Sequence, residues 1–438
     1  MNPPKAKTLA PVLMISAIAS GQGKTTVTAA IARHFTQHGK HVRVFKTGAD
    51  FIDPMMLRQA CGSAVFSLDL WLLGLPACRA LLMEAAQQAD LVLIEGVMGL
   101  YDGTPSSADL ANAFGVPVLA VIDASAMAQT VGAVAMGLRD FGPVQLAGVV
   151  ANRIASDGHL AMIQNALRDI PVLASLRRQE QALPERHLGL VLPDEVGGVD
   201  EILNRMADSL SLDVNAWQVI PTMRFTDDES LAVDVPQLLA GKRIAIARDA
   251  SFAFIYPANL LALEQMGAQL DYFSPLADQA IPAQADALYL PGGYPELHAE
   301  TLSQAHTWLT SLHAFQQAGK VIYAECGGMI SLAESLLDLN GKEWKMAGLI
   351  QGQIKMQKRL AALGMQSWIT EHGELRGHTF HYSTFDCPLT AFSHTLKQKT
   401  QDQGEAIYRI GQLQATYFHA YFPSNYLATA RLFLHSDN

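Results

Sequence analysis

Short apolar runs alternate along the chain with longer segments in which apolar residues recur at helical spacing. The runs are rich in Val, Ile and Leu, which is typical of parallel strands that helices cover on both faces. In the first half of the chain the predicted strands are residues 12–17, 42–46, 91–95, 118–122 and 146–152. The pattern therefore predicts an α/β fold built on a parallel sheet.

A second α/β pattern begins after a stretch that has lost its periodicity. Residues 209–241 lack a regular apolar spacing and carry several Pro and Asp residues, which indicates a linker region. Further predicted strands follow at residues 243–247, 270–273, 287–290 and 321–324. We therefore predict two fused domains, residues 8–225 and 242–438, joined by a linker at residues 226–241.

Composition favours small-molecule substrates. Of the 438 residues, 50% are hydrophobic and 16% are charged, and the formal net charge is −10. The low charged fraction favours large buried interfaces, either between domains or between two copies in a homodimer. The acidic balance argues against nucleic acid or an anionic membrane surface as a partner. No run reaches the roughly 18 apolar residues that a membrane span requires.

Cysteine usage and the N-terminal segment bear on the compartment. The four cysteines form no CxxC pair and no dense framework, which fits a reducing cytoplasm. Lys5 and Lys7 precede an apolar run, as in a signal peptide. The run leads directly into a glycine-rich loop, so we interpret it as a buried first strand and expect a cytoplasmic protein.

A glycine-rich loop lies between the first predicted strand and a predicted helix at residues 27–37. This is the context of a Walker A loop, in which backbone N–H groups and a lysine bind phosphates. The residues predicted to bind the nucleotide are Ser20, Gly21, Gln22, Gly23, Lys24, Thr25 and Thr26. Ile18 stands where the motif has its first glycine, so a plain strand-to-helix turn stays as the alternative.

Acidic side chains follow the second and third predicted strands. Asp50 and Asp53 come after the second strand, and Glu95 ends the third. Mg²⁺ prefers hard oxygen ligands and usually takes one or two carboxylates beside phosphates and water. We therefore predict a magnesium site formed by Thr25, Asp50 and Glu95. For each carboxylate taken alone, a helix N-cap or turn position is the alternative.

A single cysteine followed by two glycines ends the last of these predicted strands. Cys326 leads into a predicted helix at residues 330–339, which has the form of a nucleophile elbow. The helix N-terminus is expected to lower the pKa of the thiol. A buried, inert cysteine is the alternative, but the two glycines argue against it.

A thiolate that attacks an amide needs oxyanion donors and a proton carrier. The Gly-Gly turn after residues 287–290 offers backbone N–H groups, and His419 ends a short strand-like run. The spacing of His378 and His381 suggests a metal site, but a strand would split the two rings. Contact with the substrate or packing is the preferred interpretation.

Together these motifs resemble a known family. The Cys326 elbow, the turn at residues 291–293 and His419 resemble the class I glutamine amidotransferase domain. The phosphate loop with residues 50–54 and 95–103 resembles the dethiobiotin-synthetase-like half of the corrinoid glutamine amidotransferases. The resemblance covers nearly the whole chain. It implies an N-terminal P-loop parallel-sheet domain fused to a C-terminal class I glutamine amidotransferase-like α/β domain.

The resemblance also implies an activity in cobalamin biosynthesis. ATP and Mg²⁺ would phosphorylate the a- and c-acetate carboxylates of cobyrinate or hydrogenobyrinate, and ammonia from glutamine would open the acyl phosphates. Cys326 would be the nucleophile, His419 the proton carrier and the Gly293 N–H the oxyanion donor, while Asn152 would belong to the nucleotide site. The residues expected near the tetrapyrrole polycarboxylate are Lys46, Asp53, Asp102, Arg153, Arg248, Arg376 and His378.

The chain departs from the class I pattern at one position, and three alternative functions remain open. Class I amidotransferases carry a Glu two residues after the histidine, but Tyr421 stands there, so what orients His419 is undetermined. The same architecture would suit a nickel-sirohydrochlorin a,c-diamide synthase. From a different class, a partition-type ATPase switch or a degenerate, corrinoid-binding scaffold would use the same phosphate loop.

Overall fold

Two compact units make up the chain, Met1–Ala232 and Val233–Asn438. The computed structural model describes residues 9–179, 185–186, 189–223 and 235–435. The predicted linker at residues 226–241 lies partly outside these residues, and Leu239 near its end is buried in the core of the second unit. Within the described residues no helix is long and apolar enough to cross a membrane.

A sheet of eight strands forms the centre of the first unit in its described part. The strands of this unit, including the separate short pair β8 and β9, are β1 (Val12–Ala17), β2 (Val42–Thr47), β3 (Phe66–Leu68), β4 (Leu91–Glu95), β5 (Val118–Asp123), β6 (Leu146–Ile154), β7 (Val172–Arg177), β8 (Glu185–Arg186), β9 (Gly189–Leu190) and β10 (Leu210–Leu212). The order in the sheet is β10-β7-β6-β5-β1-β4-β2-β3, and β10 alone among these runs antiparallel to its neighbour. β1 is therefore central, where the strand order reverses and ligands of such sheets bind.

Helices cover both faces of this sheet. They are α1 (Lys24–Gln37), α2 (Ile52–Cys61), α3 (Leu75–Gln88), α4 (Ser107–Phe114), α5 (Thr130–Asp140), α6 (Asp157–Leu167), α7 (Val199–Asp208) and α8 (Val214–Gln218). Successive residues of β1 enter opposite cores, Val12 and Met14 on one face and Leu13 and Ile15 on the other. Each buried aliphatic side chain stabilises the fold by roughly 1.5–3 kcal/mol, so a strand buried on both faces has to be apolar throughout.

The second unit combines a ten-stranded sheet with a four-stranded sheet in the part that the structure describes. Its strands are β11 (Arg243–Ala247), β12 (Gln269–Phe273), β13 (Ala287–Leu290), β14 (Val321–Glu325), β15 (Ala333–Leu337), β16 (Glu343–Lys345), β17 (Ile350–Met356), β18 (Ala362–Thr370), β19 (Gly373–His381), β20 (Ser383–Asp386), β21 (Ser393–Lys397), β22 (Gln403–Ile410), β23 (Leu413–Thr416) and β24 (His419–Ala420). Its helices are α9 (Pro257–Gln265), α10 (Ala299–Gln304), α11 (His306–Gln317), α12 (Gly327–Leu332) and α13 (Tyr426–Arg431).

The larger sheet has a parallel half and an antiparallel half. Its order is β12-β11-β13-β14-β23-β22-β21-β18-β19-β24, and the pairs from β12 to β23 are parallel. β24 pairs antiparallel with β19, which sets His419 opposite His378. The four-stranded sheet, β16-β15-β17-β20, follows the short helix α12.

The predicted helix at residues 330–339 is wrong. Helix α12 ends at Leu332, and the chain then forms strand β15 at Ala333–Leu337. Because the apolar residues of this stretch are few and closely spaced, they fit a short helix and a strand equally well. Of the antiparallel strands that follow, only the strand-like runs around His378 and before His419 were predicted.

Candidate active sites

Two glycines shape the loop between β1 and α1. Gly21 and Gly23 have φ angles of 78° and 85°, which L side chains rarely adopt. This turn allows α1 to begin at Lys24, so the first N–H groups of the helix face the loop as in a phosphate site. Ile18 is not among the residues with positive φ, so its backbone does not require the glycine that is usual there.

Asn152, at the end of β6, packs against the same loop. Its side-chain nitrogen donates to the Gln22 carbonyl at 2.9 Å, and a Cβ on Gly23 would lie 2.5 Å from that nitrogen. The Asp123 N–H, at the end of β5, donates to Gln22 Oε1 at 3.1 Å. The ends of β1, β5 and β6 thus bring the predicted nucleotide residues together.

Lys24 is buried beneath the loop. Its ammonium donates to the Ala19 carbonyl at 3.1 Å and to the Met98 carbonyl. Burial lowers the pKa of Lys24, and the neighbouring Lys46 ammonium lowers it further. Both present partners are neutral, and a phosphate would be a stronger acceptor for this ammonium.

Three carboxylates surround Lys46. Its Nζ lies 2.6 Å from both Asp53 Oδ2 and Glu95 Oε1, and 3.8 Å from Asp50 Oδ2. Burial opposes the charged form, but Glu95 and Asp53 outweigh it and raise the pKa of Lys46. The structure places Lys46, which is only 3% exposed, inside this cluster rather than on a surface open to a large substrate.

The same cluster includes the hydroxyl of Thr25, which donates to Glu95 Oε1 at 2.8 Å and to Asp53 Oδ2 at 3.3 Å. Asp53, rather than the predicted Asp50, is therefore the aspartate that contacts Thr25. Asp50 Oδ1 instead accepts from the Asp53 and Ile52 N–H groups at the start of α2. Burial and the adjacent Asp53 raise the pKa of Asp50 to about 7, and burial also raises the pKa of Glu95.

This donor set fits Mg²⁺. Glu95 Oε2 is buried and has no hydrogen-bond partner among the described residues, so its lone pairs are available to a cation. No group of three His, Cys, Asp or Glu side chains in the described part of the chain is arranged to hold a metal. A cation would therefore depend on Thr25, one or two carboxylates, water and phosphate oxygens, which is the usual coordination of Mg²⁺.

Cys326 stands on a strained turn between β14 and α12, with φ 44° and ψ −103°. Its two following glycines allow close backbone approach. A Cβ on Gly327 would lie 2.7 Å from the Gly293 nitrogen, and one on Gly328 would lie 2.0 Å from the Leu290 carbonyl oxygen. The predicted elbow and the predicted oxyanion turn therefore lie against each other.

The expectation of a lowered thiol pKa is wrong. Burial raises the pKa of Cys326, and the carboxylates of Glu296 and Glu405 add to the effect. The Gly327 N–H at the start of helix α12 lowers the pKa of the thiol, but burial outweighs it. A base must therefore remove the thiol proton as the nucleophile attacks.

His419 is buried beside the elbow and the glycine turn. A Cβ on Gly292 would lie 2.3 Å from His419 Cε1. The ring of His378 stacks on that of His419, with centroids 4.9 Å apart and 16° between the planes. Burial, and then the neighbouring His378, lower the pKa of His419 well below its usual range, so the free ring is a neutral base at physiological pH.

Glu325 is the residue of this site that sequence reasoning missed. It precedes Cys326, and its Oε2 lies 3.9 Å from His419 Nδ1. Its Oε1 accepts the Ala420 N–H at 2.9 Å. Burial raises the pKa of Glu325 to about 7. The one available signal was an acidic residue at the end of an otherwise apolar strand.

Comparison with known proteins shows the same two parts. Residues 13–191 match the family model described as a CobQ/CobB/MinD/ParA nucleotide binding domain, and residues 243–426 match a CobB/CobQ-like glutamine amidotransferase domain. A cobyrinate a,c-diamide synthase of Herminiimonas arsenicoxydans is 58% identical over 422 residues, which is 96% of either chain. The chain belongs to the a,c-diamide synthase family.

Other members of the a,c-diamide synthase family carry a different substrate in their names. A hydrogenobyrinate a,c-diamide synthase of Stutzerimonas stutzeri is 49% identical and covers 96% of this chain and 98% of its own. A further hydrogenobyrinate a,c-diamide synthase, of Rhodobacter capsulatus, is 38% identical, and the match covers 93% of this chain and 98% of the relative. The family resemblance and the predicted two-domain α/β fold are thus confirmed.

Some of the residues predicted to contact the substrate belong to the first unit and some to the second. Asp102 and Arg153 belong to the first unit, and Arg153 pairs with Asp123 at 2.6 Å beside the nucleotide loop. Arg248 and Arg376 belong to the second unit. Arg248 is exposed, and the Arg376 guanidinium is paired at 2.8 Å with a glutamate two residues earlier in its strand.

Replacing Lys46 with Met is expected to destabilise the first unit by about 3–5 kcal/mol, because the carboxylates of Glu95, Asp53 and Asp50 would lose the cation with which all three pair. The loss should be smaller at about pH 5 than at about pH 8, since protonated carboxyls repel less and the folded variant gains protons as the pH falls. Denaturant unfolding at both pH values measures this. Lys40→Met, at an ammonium with a 54% exposed side chain, is the matched control. Equal effects of the two substitutions would contradict the account.

Proposed function

We propose that the protein is an ATP- and glutamine-dependent amide ligase that converts the a- and c-acetate carboxylates of cobyrinate or hydrogenobyrinate to amides in cobalamin biosynthesis. The observation that carries this proposal is the 58% identity, over 96% of both chains, to a cobyrinate a,c-diamide synthase. The phosphate loop and the cysteine elbow supply the two chemistries that such a reaction needs.

The second unit would release ammonia from glutamine. His419, neutral before reaction, takes the thiol proton as Cys326 Sγ attacks the side-chain amide carbon. The Gly293 N–H stabilises the oxyanion of the tetrahedral intermediate. His419 then delivers the proton to the leaving nitrogen, the C–N bond breaks, and water hydrolyses the thioester to glutamate.

The first unit would activate the corrin carboxylates. The loop N–H groups and Lys24 bind the phosphates of ATP, and Asn152 fixes the loop through the Gln22 carbonyl. A substrate carboxylate oxygen attacks the γ-phosphorus, ADP leaves, and ammonia displaces phosphate from the acyl phosphate. Mg²⁺, held by Thr25, Glu95 and an aspartate of the cluster, would supply positive charge against the phosphates. Lys46 keeps these carboxylates close together and opposes the rise that burial causes in the pKa of Asp50 and of Glu95.

We propose that polar residues of the first unit contact the tetrapyrrole polycarboxylate. In the first unit Arg153 is the best placed, because its ion pair with Asp123 sets it beside the nucleotide loop. Asp102, exposed near Lys24, is the second candidate there. The buried His378 stacks on the glutaminase histidine, so its contribution would be to that reaction.

We also propose that the enzyme works in the cytoplasm, where ATP and glutamine are available. The four cysteines are all unpaired, which suits a reducing compartment. The homodimer stays a prediction from the low charged fraction.

The substrate is tested by incubating the protein with ATP, Mg²⁺ and glutamine against cobyrinate, hydrogenobyrinate and nickel-sirohydrochlorin in separate reactions. Mass spectrometry of the products should show a diamide from cobyrinate or hydrogenobyrinate. A diamide from nickel-sirohydrochlorin alone would assign the protein to that reaction instead. No diamide from any of the three would contradict the proposal.

A further inference from the structure

We propose that Glu325 is the positioning acid of the His419 base and does the work of the glutamate that class I amidotransferases carry two residues after the histidine. The inference deepens the glutamine-hydrolysing half of the proposed function and rests on it. In this chain that later position is Tyr421, which is buried and packs edge-on against Tyr256 with ring centroids 5.1 Å apart.

The carboxylate of Glu325 reaches the histidine in two ways. Its Oε2 lies 3.9 Å from His419 Nδ1, which is too long for a hydrogen bond but close enough for a strong interaction with a charged ring. Its Oε1 accepts the Ala420 N–H at 2.9 Å and so fixes the backbone of β24 to the end of β14. Both side chains are almost completely buried, at 1% and 2% exposure, so water screens this interaction little.

The surroundings of Glu325 are suited to an ionised carboxylate. The Tyr289 hydroxyl donates to Oε2 at 2.8 Å, and the Tyr323 hydroxyl donates to Oε1 at 3.0 Å. With the Ala420 N–H, three donors therefore point at one carboxyl group. Hydrogen-bond donors of this kind favour the ionised form of a carboxyl group, which indicates that Glu325 acts as a charged group and not only as a packing residue.

His378 is also a polar group beside His419, but it does not fit the role of the acid. Its ring lies face to face with that of His419, at 16° between planes, rather than end-on to Nδ1. Its own Nδ1 lies 3.0 Å from the Tyr256 hydroxyl. Burial lowers the pKa of His378 to about 3, so it stays neutral and does not balance an imidazolium.

The protonation state of Glu325 is expected to make the rate of glutamine hydrolysis depend on pH. Among the described residues, the titratable groups that interact with it are Tyr289, Tyr323, Cys326 and His419, and both His378 and His381 act on the last. Burial raises the pKa of Glu325 to about 7, and only its ionised form stabilises the imidazolium that appears when the Cys326 proton is taken. Glutamine hydrolysis should therefore fall as the pH drops through about 7. Neither His419 nor Cys326 titrates in this range, because burial lowers the pKa of the one and raises that of the other.

The first test is Glu325→Gln in the full-length protein, with release of glutamate from glutamine as the readout. The amide keeps an acceptor for the Ala420 N–H but loses the charge. We expect kcat to fall on the order of 100-fold with KM changed by less than about threefold, and the acid limb near pH 7 to disappear. Glu300→Gln, at an exposed glutamate of the same unit, is the matched control and should behave as wild type.

The second test separates positioning from folding. Tyr289→Phe keeps Glu325 but removes one donor, so the pKa of the carboxyl should rise and the acid limb should move to higher pH, with the rate approaching wild type above it. If the Tyr289→Phe variant instead lost the same fraction of its rate at every pH, Glu325 would have a structural role only, and the inference would be overturned. A Glu325→Gln rate within about twofold of wild type would also overturn it. If the wild-type protein released no glutamate at all, the proposed function itself would fail, and the inference with it.

Discussion

Replacing Cys326 with Ser is expected to abolish amidation driven by glutamine while amidation driven by added ammonium salts continues. The serine hydroxyl is a far weaker nucleophile than a thiol whose proton His419 accepts. Ammonia supplied in solution bypasses this step, because in the proposed mechanism the acyl phosphate forms in the other unit. We expect a loss of about 10³-fold or more in the glutamine-dependent rate.

The two nitrogen donors are compared with the same protein preparation, ATP and corrinoid. Cys387→Ser is the matched control, since this half-buried cysteine lies in the same unit, directly after β20. The control should retain both rates. A Cys326→Ser protein that still used glutamine at the wild-type rate would remove Cys326 from the mechanism.

Replacing Lys24 with Met is expected to abolish amidation with either nitrogen donor. The substitution removes the buried ammonium next to the predicted phosphate position, where charge develops as the phosphoryl group is transferred. Removing one such electrostatic contact costs about 10²- to 10³-fold in rate. The acyl phosphate has to form before nitrogen from either donor can react with it. Added ammonia should therefore not restore amidation in this variant.

The measurement is formation of the diamide and of ADP, with saturating ammonium salt and with glutamine. Lys40→Met, at an exposed lysine of the same unit, controls for loss of one positive charge. Thermal unfolding followed by circular dichroism confirms that both variants are folded. Near-normal amidation by the Lys24→Met protein with ammonia would show that this loop is not the phosphate site.

The parallel strands could be predicted from the sequence because burial on both faces forces them to be apolar. The runs at residues 12–17 and 91–95 coincide with β1 and β4, and residues 243–247 and 287–290 coincide with β11 and β13. Helix α1 begins at Lys24, inside the predicted phosphate loop, because the positive φ of Gly23 turns the chain directly into the helix.

The antiparallel strands of the second unit could not be predicted in the same way. In β18 and β19 buried, half-buried and exposed residues are mixed, so neither strand forms a continuous apolar run. The residues after the cysteine elbow show the same difficulty, since a helix of six residues and the following strand β15 share one short apolar stretch.

Local motifs located the candidate sites, but their geometry depends on register. The phosphate loop and the cysteine elbow are continuous in sequence and were found from it. The contact between Glu325 and His419 depends on the pairing of β14 with β23 and of β19 with β24. The choice of Asp53 over Asp50 as the neighbour of Thr25 likewise depends on how α2 begins. Such distances arise only when separate strands are placed side by side.

Transfer of the glutamine amide nitrogen to the corrin is the central claim, and isotopic labelling tests it most directly. The protein is incubated with ATP, Mg²⁺, cobyrinate or hydrogenobyrinate and glutamine labelled with ¹⁵N at the side-chain amide, and the product is analysed by mass spectrometry. We predict a diamide that carries two ¹⁵N atoms, with no such product from the Cys326→Ser variant. A diamide without the label, or no diamide from either macrocycle, would contradict the account.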